Sequence, residues 1–515
     1  MRYRVIGLTA LCVTLFATEP NPATKRWWTH VKALANDSLK GRDTGSDGYR
    51  AAAAYVVEQF QRAGLKPAGE NGGWYQPVPL RVLRLRTDQS EASLVRKDGT
   101  VVKLAWLRQI TLPARAGTPE SIEAPLMFEG SGPADDPELK GKILVRMNTP
   151  GAGGRRGGRG AGGGPRDIAG TLTIDTTAGP EPPRWPAQYS VSMSLADGTP
   201  APDTSDAGGG RAASPAGTVA MRFNPAFADE LLAGSGHTYK ELVDLAAEGK
   251  PLPRFPIPAT LLARMKFESA ELKSDNVLGV LPGSDPALAN EYIAISAHLD
   301  GYGIGEPWGT DNIYNGAFDD AAYVATLIDF AETLKAAKKS LKRPVLFAVW
   351  TGEEKGLLGS RYYVAHPTIP KERFVANVNL DQLRPLWPLK ILTTLAIDDS
   401  TLGDTVRQVA SGMDIRIQAD PEPGRNLLRR SDHWNFMQIG VPAVGFIFGY
   451  EPGSPEEAIY RRWYAERYHT PKDDLDQPWD PPAAAKFNDF FGHLVESVAN
   501  ASERPRWKPG SPYAK

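Results

Sequence analysis

Short apolar runs alternate with amphipathic segments through the second half of the chain. Beyond residue 272, six runs have the length of a β-strand, the first being NVLGVLPG and the last AVGFIFG. Segments with helical spacing of apolar residues lie between most of them, over 320–338, 356–366, 401–411 and 431–438. This pattern predicts an α/β fold with a mixed, mostly parallel sheet flanked by helices. Active sites on such sheets gather at the carboxyl ends of the strands.

The first half of the chain has a different pattern. Residues 27–65 predict two amphipathic helices around a Gly/Asp turn. Short β-type runs separated by turn residues dominate from about 75 to 150 and predict a small β-rich unit. Two stretches rich in small residues follow, at 150–165 and 198–217, and are typical of flexible loops.

The first of these stretches contains a formal G-x-G-x-x-G match at Gly158, Gly160 and Gly163. No strand leads into it and Pro165 follows, so a dinucleotide site is disfavoured. An RGG-like nucleic-acid segment is also disfavoured, because no aromatic residues are interleaved with the arginines. The formal net charge of the chain is −1, which gives no general attraction to nucleic acid or to anionic membranes.

The N-terminal segment, residues 1–23, predicts a secretory signal peptide and therefore a secreted or periplasmic protein. Arg2 and Arg4 precede an apolar stretch that is too short to span a bilayer. The only cysteine, Cys12, lies in this segment, so the mature chain would have no thiol for disulfides or for catalysis. No other stretch predicts a transmembrane helix, so we expect no stable membrane insertion after signal removal.

Polar residues stand where the predicted strands end. The strand-end residues and those of nearby segments are His298, Asp300, Asp319, Asp320, Glu353, Glu354, Asp381 and His469. Each has an ordinary structural explanation when taken alone. The acid pairs could cap helices, Asp381 could bond local amides, and a lone histidine is most often a hydrogen-bonded structural residue. Their convergence on one edge of one sheet favours a metal site instead.

The residue types fit that chemistry. Two histidines and three carboxylates suit Zn²⁺, or a divalent ion of similar preference such as Co²⁺ or Mn²⁺. Two ions about 3.5–4 Å apart require one carboxylate that bridges them. One histidine and one carboxylate then remain for each ion.

The motifs resemble those of the M28 family of metallopeptidases, the co-catalytic zinc aminopeptidases. The matching blocks are AHLDG, NGAFDDAAYVA, WTGEEKGLLGS, NVNLDQ, SDHWNFMQIGVPAV and YHTPKDDLD, and they cover roughly residues 273–500. The segment LKGRDTGSDGYRAAAAYVVEQF also resembles the opening helices of the family. The resemblance implies a zinc-exopeptidase-like fold, two zinc ions and a peptide substrate.

Roles follow from the resemblance position by position. It implies that Asp319 bridges both ions, that His298 and Asp381 complete one site, and that Glu354 and His469 complete the other. It also implies that Glu353 is the general base. The remaining positions are Tyr468, which would help to stabilise the oxyanion, and Asp300, which would orient His298 as carboxylate partners of metal-bound histidines commonly do.

Two departures from the family pattern stand out. The 21-residue gap from His298 to Asp319 is longer than usual for the family, and its extra residues, YGIGEPWGTDNIYN, predict a loop at the rim of the substrate pocket. A protease-associated insert is expected between the opening helices and the sheet. The expected domains are a peptidase segment at 24–114, the insert at 115–265 and the catalytic domain at 266–515.

The function expected from these features is hydrolysis of a peptide bond next to a free terminus, by an aminopeptidase. A carboxypeptidase or dipeptidase on the same scaffold is the nearest alternative, and its carboxylate-binding arginine would come from Arg384, Arg425, Arg429 or Arg430. A glutaminyl-cyclase-like activity is less favoured because five ligands for two ions are present. A binding ectodomain without activity would be expected to have a broken ligand set. The sequence does not determine the oligomeric state.

Overall fold

The architecture comes from a computed structural model. It describes residues 21–114, 117–133, 136–147, 167–175, 191–199, 218–381 and 384–514. Three features singled out in the sequence lie wholly or largely outside these ranges: the predicted signal peptide, the glycine-rich run at 150–165 and most of the stretch at 198–217.

The α-helices begin and end at recognisable signals. Ser46 caps the second helix by accepting a hydrogen bond from the Tyr49 amide, and Gly64 ends it with a φ of 85°. The α-helices of the described residues are α1 Pro22–Leu34, α2 Asp47–Ala63, α3 Ala228–Leu232, α4 Tyr239–Ala247, α5 Ala322–Ala336, α6 Leu358–Ala365, α7 Thr401–Ser411, α8 His433–Gln438, α9 Pro455–Glu466 and α10 Pro481–Asn500.

The β-strands form two large sheets and one hairpin. In chain order, the strands of the described residues are β1 Lys66–Pro67, β2 Tyr75–Leu85, β3 Glu91–Arg96, β4 Val101–Leu104, β5 Ile110–Thr111, β6 Ser121–Phe128, β7 Ile143–Met147, β8 Gly170–Ile174, β9 Val191–Leu195, β10 Val219–Phe223, β11 Phe255–Arg264, β12 Phe267–Leu281, β13 Tyr292–His298, β14 Gly303–Trp308, β15 Asp311–Tyr314, β16 Val345–Trp350, β17 Phe374–Asn379, β18 Ile391–Leu395, β19 Arg416–Gln418 and β20 Ala443–Phe448.

The larger sheet has the order β19-β18-β20-β17-β13-β16-β12-β2-β9, with β1 paired to β12. The four strands β20, β17, β13 and β16 are mutually parallel, and the pairings that flank them are antiparallel. The mixed α/β sheet predicted from the sequence is therefore confirmed, with its parallel strands at the centre. We call this sheet the peptidase sheet, after the family that the sequence resembles.

The central strands are apolar on both faces because helices cover both. Val345, Phe347 and Val349 of β16 belong to the core formed with α1, α2, α5, α7 and α10. The intervening residues, Leu346 and Ala348, belong to the core formed with α6 and α8. This alternation is the two-residue period of a strand that is buried on both sides.

The second sheet has the order β4-β3-β11-β6-β7-β8-β10-β5 and a core of its own, to which α3 and α4 contribute. An antiparallel ribbon of β2 and β12 connects it to the peptidase sheet, with Leu85 opposite Phe267 and Tyr75 opposite Val277. Strands β3, β4 and β5 belong to this sheet although they precede residue 115, since β3 pairs with β11. The second sheet therefore starts before the predicted beginning of the insert, and its type remains a prediction.

The elements predicted after residue 272 occur in the structure, with shifts at some helix starts. The segment 320–338 forms a helix only from Ala322, and 356–366 only from Leu358. No helix in the described part of the chain is long and apolar enough to cross a membrane.

Candidate metal centre

Three neighbouring strands deliver polar side chains to one edge of the peptidase sheet. His298 is the last residue of β13 and is fully buried. Strand β16 lies parallel on one side of β13 and is followed by Glu353 and Glu354, while β17 lies parallel on the other side and is followed by Asp381. The structure therefore brings together residues that are far apart in the sequence.

Asp319 lies at the centre of this cluster, between the two histidines. Its Oδ1 is 3.2 Å from Nε2 of His298, and its Oδ2 is 3.2 Å from Nε2 of His469. Two sets of potential metal-ligand atoms share this carboxylate, one with His298 and Asp381 and one with Glu354 and His469; within each set the atoms lie within 4.8 Å of one another. Asp319 is thus positioned between two groups of donors.

The adjacent glutamates do not cap the helix that follows them. Helix α6 begins at Leu358, and its N-cap residue is Leu357, which makes no side-chain capping hydrogen bond. Glu354 Oε2 lies 3.4 Å from Nε2 of His469, and Glu353 Oε2 lies 3.9 Å from Nε2 of His298. The two carboxylates therefore face different histidines of the cluster, and the capping explanation fails here.

The capping explanation also fails for the pair Asp319 and Asp320. Helix α5 begins at Ala322, and no side chain caps it. Asp320 instead accepts a hydrogen bond at 3.1 Å from the backbone amide of His298, which fixes the end of β13. The two aspartates thus have separate contacts, one to the ring of His298 and one to its backbone.

Asp300 joins the ends of two strands. Its carboxylate accepts hydrogen bonds from the backbone amides of Glu353 at 3.0 Å and Glu354 at 3.3 Å, and from the hydroxyl of Thr44. The carboxylate is 3.8 Å from Nδ1 of His298, whereas the backbone carbonyl of Asp300 is 3.1 Å from that nitrogen. The closest contact to the imidazole is therefore the carbonyl, while the carboxylate holds the turn that carries both glutamates.

Asp473 supports the site but was not among the residues predicted from the sequence. Its two oxygens accept hydrogen bonds from the amides of Phe318 at 3.0 Å and Asp319 at 3.1 Å. Burial raises the pKa of Asp473 to about 6. The sequence signal was the block YHTPKDDLD, in which a run of acids after His469 could have suggested a second residue at the site.

Two tyrosines line the open side of the cluster. The ring of Tyr468 stacks on His469 with centroids 3.6 Å apart, and Tyr302 lies against the same imidazole at 4.4 Å. Tyr302 immediately precedes the hairpin of β14 and β15, which corresponds to the long gap noted in the sequence. The extra residues therefore bring an aromatic ring to the site, a contribution that the sequence analysis did not assign to any particular residue.

Negative charge dominates the cluster. Burial raises the pKa of Glu353 and that of Glu354 well above the ordinary value, and neighbouring carboxylates act in the same direction. Burial alone would also raise the pKa of Asp319, but contacts with His298 and His469 hold it well below its usual value. A cluster of this kind needs cations to be stable in its ionised form.

The donor set fits divalent metal ions. It offers imidazole nitrogens and carboxylate oxygens, the ligand types that zinc takes in proteins. Oε1 of Glu354 is buried and has no hydrogen-bond partner among the described residues, as expected of a ligand atom awaiting an ion. One protein cation is close, since Nη2 of Arg384 lies 3.5 Å from Oδ2 of Asp319.

Comparison with curated proteins finds relatives that match part of this chain. Among curated relatives, the leupeptin-inactivating enzyme 1 of Streptomyces exfoliatus is 25% identical over 238 residues, which is 46% of this chain and 46% of the relative. The match thus spans less than half of the length of that relative.

Two solved structures share the fold. An aminopeptidase from Aneurinibacillus sp. strain AM-1 is similar with a TM-score of 0.57 and 19% identity, covering 93% of this chain and 95% of that one. The zinc aminopeptidase BSAP from Bacillus subtilis is similar with a TM-score of 0.54 and 16% identity, covering 93% and 96%. These likenesses confirm the α/β architecture.

The family resemblance is confirmed independently of these structures. Residues 276–495 match the model of peptidase family M28. All the strand-end residues of the cluster, from His298 to His469, lie within this range. The part of the chain that carries the cluster is therefore similar to peptidase family M28.

Proposed function

We propose that this protein is a di-zinc exopeptidase that hydrolyses the peptide bond next to a free amino terminus. The observation that carries the proposal is the position of Asp319, whose two oxygens each lie 3.2 Å from the Nε2 atom of a different histidine. A carboxylate in this position suits the bridging ligand that a two-metal site requires. The match of residues 276–495 to a peptidase family model supports the reaction class.

In this proposal, His298 and Asp381 hold one ion, Glu354 and His469 hold the other, and Asp319 binds both. Zinc is favoured by the donor types, and Co²⁺ or Mn²⁺ are alternatives. Bound divalent ions supply Lewis acidity, which polarises a carbonyl and lowers the pKa of water in the site. Asp473 and Asp300 position this ligand set through backbone amides.

Glu353 is proposed as the general base. It faces His298 at 3.9 Å and belongs to a third group of close donor atoms, with His298 and Glu354, but it lies outside the two groups that share Asp319. Its carboxylate would accept a proton from the attacking water and then deliver that proton to the leaving amine. Tyr468, next to His469, would donate its phenol hydrogen to the oxygen that becomes negative during attack.

The proposed location, domain type and partners of the protein rest mainly on the sequence. The predicted signal peptide supports a secreted or periplasmic location, and the second sheet supports a protease-associated insert. The proposed partner is a peptide substrate, with neither nucleic acid nor a membrane involved. A binding ectodomain without activity is the less favoured alternative, because the ligand set is intact and buried.

The direct test is hydrolysis of leucine p-nitroanilide and of its N-acetyl derivative by purified protein, before and after removal of metal with a chelator. The proposal predicts release of nitroaniline from the free amine only, loss of this activity after chelation, and recovery with Zn²⁺. Equal hydrolysis of the acetylated substrate, or activity that survives complete metal removal, would contradict it.

A further inference from the structure

A cleft of about 540 Å³ opens beside the metal centre. Glu353, Glu354 and His469 form one side of it. Three arginines, Arg361, Arg429 and Arg430, contribute to the rest of its lining. A substrate bound at the metal centre would therefore extend into a space with positively charged walls.

Arg361 is the most unusual of these arginines. It lies on α6, only 8% of its surface is exposed, and its buried Nε has no hydrogen-bond partner. Its one hydrogen bond within the described residues is a long contact of 3.5 Å from Nη1 to the Gly356 carbonyl. Burial lowers the pKa of Arg361, and the nearest acid that opposes this, Asp197, is already bonded to His366 at 2.8 Å.

Arg42 is a fully buried arginine with a structural role, and it provides a comparison for Arg361. The guanidinium of Arg42 donates hydrogen bonds to the carbonyls of Leu34, Leu299, Asn315 and Gly316. A largely buried guanidinium with a single long hydrogen bond among the described residues is costly, so we expect Arg361 to bind a partner from outside the chain.

The two neighbouring arginines strengthen the positive character of the wall. Arg429 lies over the ring of Trp434 at 4.9 Å, and Arg430 lines the cleft together with Tyr468 and Glu353. Neither forms an ion pair with a carboxylate in the described ranges of the chain. Three guanidinium groups thus line one cleft, and none of them forms a close ion pair with a carboxylate of the described residues.

We propose that Arg361, Arg429 and Arg430 form an anion subsite that binds a carboxylate group of the substrate. Planar guanidinium groups suit planar carboxylates through paired hydrogen bonds. The carboxylate would be either the C-terminus of a short peptide or an acidic side chain beyond the scissile bond. The proposal rests on the proposed peptidase function and narrows its substrate class to short or acidic peptides.

Another part of the cleft wall comes from strand β9 and from Thr199. Met193 and Ser194 of β9, together with Thr199, line the same cleft as Arg361. Strand β9 reaches this position because it pairs with β2 at the edge of the peptidase sheet. Strand β9 and Thr199 therefore help to limit the length of a bound peptide.

The test compares four substrates that share one scissile bond after leucine: Leu-Ala, Leu-Ala-amide, Leu-Glu-amide and Leu-Gln-amide. The quantity measured is the ratio of kcat/KM between each acid and its neutral counterpart, with kcat and KM determined separately. In the wild type, one ratio should be about tenfold or more, mainly through KM, because hydrogen bonds between charged groups favour the acid. The ratio that is raised identifies the source of the carboxylate.

The variants are Arg361→Gln and Arg430→Gln, with Arg407→Gln as the matched control on α7, where that arginine pairs with Asp398. The raised ratio should fall towards one in the first two variants and persist in the control. Arg430 is exposed, so its variant keeps the test decisive if Arg361→Gln does not fold.

Each outcome has a distinct meaning. Wild-type ratios near one, with all four substrates hydrolysed, would overturn the subsite and leave the proposed function intact. A raised ratio that persists in Arg361→Gln and Arg430→Gln would also overturn it. If none of the four is hydrolysed, the proposed function fails and the subsite fails with it.

Discussion

Asp175 and Asp381 make an instructive pair, because each is a buried acid just beyond a strand, in a different sheet. Asp175 follows β8 of the second sheet, and its carboxylate pairs with the guanidinium of Arg222 on the neighbouring strand. Asp381 follows β17 of the peptidase sheet and faces His298 and Asp319. An acid at a strand end is therefore structural where the fold supplies its counter-charge, and is a candidate ligand where it does not.

The second sheet and the peptidase sheet also differ in the number of polar residues that they bury. Within the described parts of residues 85–265, the buried polar residues are Ser90, Gln109, Thr111 and Asp175. The central strands of the peptidase sheet instead carry a connected polar set: Ser296 donates to Asn379 at 2.6 Å, and Asn379 donates to Ser431 at 2.7 Å. Buried polar groups cost free energy unless they are satisfied, so their concentration at one edge indicates selection for chemistry.

The largest changes in stability and in metal content are expected from neutralising Asp175 and Asp381, respectively. Asp175→Asn leaves Arg222 without its counter-charge and should lower the free energy of unfolding by about 3–5 kcal/mol, with metal content unchanged. Asp381→Asn removes a charged ligand and should cause loss of metal, with activity falling accordingly. Chemical denaturation and elemental analysis of both variants measure the two effects. Loss of metal from Asp175→Asn, or full metal content in Asp381→Asn, would contradict the distinction.

A second comparison separates the adjacent glutamates. Glu353→Gln should keep its metal and lose about 10²–10⁴-fold in kcat, the usual contribution of a general base. Glu354→Gln should bind one ion far more weakly, because a neutral amide replaces a charged ligand. Metal occupancy and kcat are measured on variants prepared identically. The reverse pattern would exchange the two roles, and full activity of both variants would remove these acids from the mechanism.

A smaller loss of metal affinity is expected from substitution of Asp473, whose carboxylate binds the backbone amide of Asp319. Asp473→Asn weakens the acceptor for the amides of Phe318 and Asp319 and should reduce metal affinity about 10–100-fold. Asp474→Asn is the control, because the side chain of that neighbour accepts a local hydrogen bond from the Asp476 amide and none from Phe318 or Asp319. Zinc titration by calorimetry measures both affinities. Equal affinity in the two variants would mean that the support of Asp319 does not depend on Asp473.

Much of the peptidase sheet could be predicted because its signals are local. Continuous apolar runs mark β13, β16 and β17, and polar residues stand at their ends. The helix starts were placed too early at 320 and 356 because acids before a helix usually cap it, whereas here the acids face the histidines. Local propensity cannot identify a metal-ligand role, because that role depends on residues from distant segments that meet at one edge of the folded sheet.

The remaining features depend on contacts between distant segments. The second sheet starts before residue 115 because β3 pairs with β11, a contact that spans nearly the whole of the predicted insert. Asp473 acts on backbone amides 154 residues or more away, and Arg361 is singled out only by its buried Nε, which has no hydrogen-bond partner among the described residues. Among the arginines proposed from the sequence, Arg429 and Arg430 line the cleft, while Arg384 lies against Asp319 and Arg425 pairs with Glu422.

The number of metal ions bound per chain tests the central claim most directly. Metal-free protein is titrated with Zn²⁺, and bound zinc is determined by elemental analysis in the wild type and in Asp319→Ala. Two ions per wild-type chain, with weakened binding of both in Asp319→Ala, is the result expected if Asp319 bridges the two sites. One ion or none in the wild type at saturating zinc, or two tightly bound ions in Asp319→Ala, would contradict the account.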